Sequence, residues 1–233
     1  MNSSQQSNIP VILITGFGPF SSPFVNSSWE VAKALKTYLE WKNSIHIILK
    51  QLQVIYDDVA TKIPDYWIQY NPTLVIHLGV AKGSKEIRLE RYACNTDYCH
   101  ADNNGIVPEI GQCIKNGEPK RLMTNLPLRD ICARVQRRTN LPIIVSDNAG
   151  RYLSEYMYYQ SLFIDSKRTL FIHLPDLNKN ITIENLAGII QLIIYEALHY
   201  VDPLPILNQN GNYLINSNTI FHHNEKFKFN KLF

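Results

Sequence analysis

The chain has 233 residues, 45% of them hydrophobic, 11% aromatic and 18% charged, with a net charge of +3. This length suits one domain with a sizeable core. The near-balanced charge, without a long Lys/Arg run, argues against a nucleic-acid surface, and no apolar stretch reaches the roughly 18 residues of a membrane span.

Met1 to Asn8 is a polar stretch that lacks an apolar signal core. Val11 to Thr15 is a short β-branched run, read as a buried strand. It ends in Gly16-Phe17-Gly18-Pro19-Phe20, where the glycines permit a tight turn and Pro19 stiffens it. Phenylalanines are unusual in a loop that should face solvent. Phe17 and Phe20 either fold back onto the core or line a pocket at the carboxyl edge of the sheet, where open α/β sheets bind ligands.

Asn26 and Ser27 cap a helix carrying Trp29, Val31, Ala32, Leu35, Tyr38 and Leu39. Ile45 to Val54 reads as a second strand, and Val59 to Tyr70 as a helix kinked or broken at Pro64. Pro72 to Val80 is a third buried strand, whose His77 reads as a satisfied core residue. Ile87, Leu89 and Ala93 then alternate with Arg88, Glu90 and Tyr92. On that pattern Glu90 faces away from the apolar residues, as a solvated charge.

Cys94, Cys99, Cys113 and Cys132 include no Cys-x-x-Cys pair, so free thiols are expected rather than a zinc site, although Cys94, Cys99 and His100 lie close in sequence. No metal or cofactor is expected. Few cysteines and the polar start suggest a soluble protein of the reducing cytoplasm.

Ala101 to Asn125 reads as a long loop or hairpin excursion, and Leu128 to Arg138 as an amphipathic helix. Pro142 to Val145 reads as a buried strand, followed by the turn-prone Asn148-Ala149-Gly150. Tyr152, Leu153, Tyr156, Met157 and Leu162 then recur at helical spacing. A strand breaking sharply into a helix aims its first free backbone N–H groups at one spot, which suits a nucleophile beside an anion-stabilising hole. Ser154 occupies that first turn. It either serves as the nucleophile or merely caps the helix or faces water, and the Gly-x-Ser-x-Gly elbow of serine hydrolases is absent.

Thr169 to Leu174 is another apolar strand, with His173 near its carboxyl end just before Pro175. Ile183 to Tyr200 is a long amphipathic helix. The elements together predict an α/β protein, a three-layer αβα sandwich around a twisted, mostly parallel central sheet. The expected organisation is a polar extension at 1–9, an α/β domain at 10–202, and a tail at 203–233 that is either a disordered extension or a partner-binding segment.

Segments of this chain resemble the pyroglutamyl peptidase type I family, cysteine peptidases that remove an N-terminal pyroglutamate. They are Thr15 to Phe20, Asn26-Ser-Ser-Trp29, Leu89-Glu-Arg with Asn95, Asp147 to Leu162, and Phe171-Ile-His-Leu-Pro175, in the family's order. The resemblance spans roughly Val11 to Tyr200 and is closer to eukaryotic members. It implies a catalytic group of Ser154, His173 and Glu90, with Glu90 orienting the histidine and Phe17 and Phe20 sandwiching the flat lactam ring. It also implies pyroglutamyl peptides as partners. The chain departs from the family at Ser154, where the family carries its catalytic cysteine. The readings are thus a peptidase fold whose nucleophile is lost, cutting poorly or only binding pyroglutamyl peptides or another partner; an active peptidase using Ser154; and a binding or structural protein that kept only the fold.

Overall fold

The computed structural model describes residues 9–19, 26–40, 45–114 and 119–201, and the strand pairs at 206–207, 213–214 and 220–221. Phe20, the extension before residue 9 and most of the tail lie outside the described residues. The chain divides into two compact units, Met1–Val201 and Asp202–Phe233. In the second, Tyr213–Leu214 pairs antiparallel with Ile206–Leu207 and with Ile220–Phe221.

The first unit is built on β1 (Val11–Phe17), β2 (His46–Leu52), β3 (Leu74–Val80), β4 (Ile87–Glu90), β7 (Ile143–Ser146) and β8 (Thr169–Leu174). Their order across the sheet is β2-β1-β3-β8-β4-β7. Neighbours run parallel except β4 against β8. A small hairpin of β5 (Tyr92–Cys94) and β6 (Arg121–Met123) stands beside it.

Helices cover both faces. The helices α1 (Ser27–Glu40), α3 (Leu128–Gln136) and α5 (Ile183–Leu198) share one core with Ile12, Ile14, Ile76, Leu89 and Ile172. On the opposite face α2 (Tyr56–Tyr70) and α4 (Leu153–Asp165) pack on Leu13, Val75 and Phe171. The two-sided covering explains why β1 and β3 are continuous apolar runs: each successive side chain enters one core or the other. The three-layer αβα sandwich is therefore the fold.

Local departures from the sequence pattern have physical causes. β1 continues through Phe17, so this residue belongs to a strand and not to the following loop. The helix α2 starts at Tyr56 and passes through Pro64 without breaking. The excursion at 101–125 contains a short 3₁₀ turn at Glu109–Gly111 and returns as β6 to pair with β5. The strand β7, read as buried, is the edge of the sheet, and its Ile144 is 40% exposed.

Glu90 is the instructive correction. The alternation holds, since Ile87 and Leu89 enter the core under α1, α3 and α5 while Glu90 faces the other way. That other face is covered by α4, and Glu90 is fully buried. A period-two pattern fixes which side a residue faces; whether that side meets water depends on a helix more than sixty residues further along.

Candidate active site

His173 and Glu90 come together across the antiparallel β8–β4 pair. Glu90 lies opposite Phe171, so His173, two residues on, projects on the same face. His173 Nδ1 stands 2.7 Å from Glu90 Oε1. A carboxylate only accepts, so Nδ1 carries the hydrogen and Nε2, turned away from Glu90, is left with a lone pair. Glu90 Oε2 is buried without a hydrogen-bond partner among the described residues.

The ring of His173 is wedged in place. Phe171 packs against it with centroids 4.3 Å apart, and Tyr158 packs on Phe171 from α4 at 5.5 Å. The Tyr158 hydroxyl donates to the carbonyl of Glu90. Behind the rings β3 has Gly79, paired in register with His173.

Ser154 is the second residue of α4 and is half-buried. Among the described residues no hydrogen bond joins its hydroxyl to His173. Its level is set by the helix. Thr169 at the start of β8 donates through Oγ1 to the carbonyl of Asp165, so the end of α4 sits over the beginning of β8. Ser161 Oγ meets His77 Nε2 at 2.7 Å, and His77 pairs with Phe171. Ser154 lies on the same helical stripe seven residues earlier, about 10 Å toward the carboxyl end of β8. His173 lies about 7 Å beyond Phe171 in that same direction. The start of α4 also retains the donors of a helix N-terminus, since its N-cap, Tyr152, makes no side-chain cap.

Phe17 ends β1 on the core side, packed in a cluster that includes Leu52, Tyr56, Leu153 and Met157. Beside it a cleft of about 310 Å³ is lined by Gly18, Pro19, Leu52, Val54 and Asn103. It opens at the carboxyl ends of β1 and β2, on the edge that also displays His173. His77 is a core residue, fully buried, with its ring nitrogens on Thr15 and Ser161. Asn95 brackets the excursion, donating to the carbonyl of Ile114 and accepting from its amide.

All four cysteines are free thiols. Burial raises the thiol pKa of Cys94, and that of Cys113 well above its ordinary value. Burial pushes Cys132 to about 11, and this residue lies in the core on the far side of the sheet. His100, considered above beside Cys94 and Cys99, stacks on Tyr152 at 4.0 Å. Among the described residues no cluster of His, Cys, Asp and Glu is arranged to hold a metal ion, and no helix is long and apolar enough to cross a membrane.

A family profile described as pyroglutamyl peptidase matches residues 11–201. The chain belongs to the pyroglutamyl peptidase family. It is 31% identical over 192 residues to pyroglutamyl-peptidase 1 of Homo sapiens, covering 82% of this chain and 91% of that one. It is 30% identical to the pyrrolidone-carboxylate peptidase of Bacillus cytotoxicus, covering 80% and 92%. Among solved structures, pyrrolidone carboxyl peptidase of Pyrococcus furiosus superimposes with a TM-score of 0.74 at 26% identity, over 82% of this chain and 99% of that one.

Gly79 and Tyr158, which pack around the His173–Glu90 pair, carried no assignment from the sequence. Gly79 had a visible signal, a glycine inside a strand, which often marks a close approach. Tyr158 was hidden in a helix whose residues are buried nearly all round.

Proposed function

We propose that this protein binds the N-terminal pyroglutamyl residue of peptides in a site formed by Ser154, His173 and Glu90, and that this constellation is built for hydrolysis of the following amide bond. The observation that carries the reading is the buried Glu90–His173 pair, 2.7 Å apart on the face beneath α4. His173 Nε2 takes the proton of the nucleophile during attack and returns one to the leaving amine. Glu90 holds the ring and offsets the charge that develops on it. The first amides of α4 receive the oxyanion. Phe17, at the end of β1, and Phe20 would sandwich the lactam. Four free cysteines suit a reducing, cytoplasmic setting.

Ser154 limits the chemistry. A thiol beside an imidazolium and a helix N-terminus ionises near neutral pH, since its ordinary pKa is only about 8.5. A hydroxyl starts many units higher and must lose its proton during attack. The C–O bond is also shorter than C–S, drawing the nucleophilic atom back from the carbonyl. The chain therefore cleaves pyroglutamyl substrates poorly, and Ser154→Cys raises the rate by several powers of ten.

The test is a fluorogenic pyroglutamyl assay on the chain, on Ser154→Cys and on Ser154→Ala, each with and without iodoacetamide. Efficient, thiol-insensitive cleavage by the unchanged chain would make it a serine enzyme. The second reading, an inactive binder of pyroglutamyl peptides, is favoured by the serine itself. A folded Ser154→Cys protein that binds pyroglutamate and stays inert would establish it.

A further inference from the structure

Next to Ser154 stands a carboxylate that the proposed chemistry does not use. Glu155 is 1% exposed. Its Oε2 accepts the backbone amide of Arg151 at 2.7 Å, and its Oε1 accepts the backbone amide of Cys94 at 2.8 Å. The Arg151 guanidinium closes the group, Nη1 lying 2.7 and 2.9 Å from the two oxygens. The two amides come from the two arms of the site. Arg151 belongs to the turn that delivers Ser154, and Cys94 to β5, which follows Glu90 almost directly.

The turn needs holding. Gly150 has φ 96° and Arg151 has φ 60°, so two successive residues are left-handed, and for arginine that conformation is uphill. Such strain persists only where the surroundings over-determine it. The Arg151–Glu155 pair is no ordinary helix-surface pair, since Arg151 precedes the helix and Glu155 is buried. Its carboxylate fastens the strained turn to the strand that leads from Glu90.

We infer that Glu155 is a positioning residue: its carboxylate staples the Ser154 turn to β5, setting Ser154 and the first amides of α4 against the His173–Glu90 pair. This rests on the reading of Ser154 as the nucleophile position. The staple needs two acceptor oxygens for two buried amides. Glutamine offers one, so Glu155→Gln leaves an amide unpaired and frees the turn from β5 without emptying the site.

The experiment compares 5-oxoprolinal with its alcohol, 5-oxoprolinol. Both carry the lactam. Only the aldehyde forms an adduct, in which the nucleophile of residue 154 bonds to the aldehyde carbon, its proton passes to His173 Nε2, and the former carbonyl oxygen takes the negative charge. Dissociation constants are measured by calorimetry for the chain as it stands and for Ser154→Cys, each with and without Glu155→Gln, alongside melting temperature. Glu155→Gln should weaken aldehyde binding about tenfold and leave alcohol binding within about twofold. Arg151→Ala keeps both amide bonds and should act in the same direction by less; it decides the matter if Glu155→Gln does not fold. An unchanged aldehyde-to-alcohol ratio in the variants overturns the inference, as does an equal loss of both ligands with a fall in melting temperature, which would make Glu155 purely structural. A parent protein that binds neither molecule overturns the reading of the site as a whole, and the staple with it.

Discussion

Two histidines on one face of adjacent strands, His77 on β3 and His173 on β8, have opposite surroundings. Around His77 every group is paired with a neutral partner. Nδ1 meets Thr15 Oγ1 at 2.7 Å, and that hydroxyl reaches on to Met157 Sδ. Nε2 meets Ser161 Oγ, which also receives the indole N–H of Trp67. One tautomer satisfies the whole chain: Nδ1–H donates to Thr15, and Nε2 accepts from Ser161. Nothing there rewards a positive ring, and burial lowers the pKa of His77 to about 3. His173 instead has a carboxylate on Nδ1 and a second nitrogen pointing elsewhere. Both rings are buried, so burial does not separate the core histidine from the one proposed as the base. What separates them is whether the second nitrogen is already spent and whether the first faces a charge.

The sharpest break of this comparison is to remove each ring in turn in the Ser154→Cys protein. His173→Ala should lower kcat by about a thousandfold or more, since it removes the base and the partner of Glu90 together. His77→Gln should leave kcat within a fewfold and lower stability instead. Glu90→Gln should fall between, costing about a hundredfold in kcat through a lost charge and a loosened ring. Steady-state kinetics with urea unfolding on the same samples separates the outcomes. If His77→Gln lowers kcat as far as His173→Ala, the division of roles fails.

Acid should sharpen the contrast further. The folded pKa of His77 is about 3 against an ordinary 6.5. Between those values the unfolded chain binds the proton and the folded one does not, so the contribution is intact above 6.5 and is lost as pH falls toward 3. The loss runs at about 1.4 kcal/mol per pH unit once below 6.5. Unfolding free energies at pH 7 and pH 5 should therefore differ by about 2 kcal/mol more in the unchanged chain than in His77→Gln. Parallel pH dependences in the two proteins would mean that the ring is protonated where it lies.

Much of this was legible in the residues. The apolar runs of β1, β3 and β8, the cap before α1 and the periodicity of α3 and α5 are local signals, and local signals set these elements. His173 was marked by its place near the end of a strand. Glu90 was recoverable only through resemblance, because its burial is imposed by α4 and its partner lies 83 residues away. Glu155 had no signal of its own: a glutamate in a first helical turn usually answers the helix dipole in water. What made it different was the left-handed turn before it and the arrival of β5, both tertiary facts. The edge position of β7 was hidden for the same reason, since Ile-Ile-Val reads as buried whichever strands flank it.

The smallest predicted effect falls where the two histidine regions meet. Gly79 follows His77 by two residues on the same face of β3 and stands beside His173 in register. A Cβ there would lie 3.0 Å from the Phe171 ring and 3.2 Å from Cδ2 of His173. The backbone itself would not object, since Gly79 is not among the residues with positive φ. The rings must give way. Phe171 is fully buried against Tyr158 and cannot retreat, whereas His173 is 7% exposed and can turn toward the open edge. Gly79→Ala should therefore cost about 1 kcal/mol of stability through overpacking. In the Ser154→Cys protein it should lower kcat about tenfold with KM little changed, because a tilted imidazole spoils proton transfer more than lactam binding. A melting temperature that falls while kcat holds would place the strain in the Phe171–Tyr158 stack. A kcat that falls while the protein keeps its stability would show that β3 sets the angle of the base, leaving one strand to hold His77 still on one side and give His173 its room on the other.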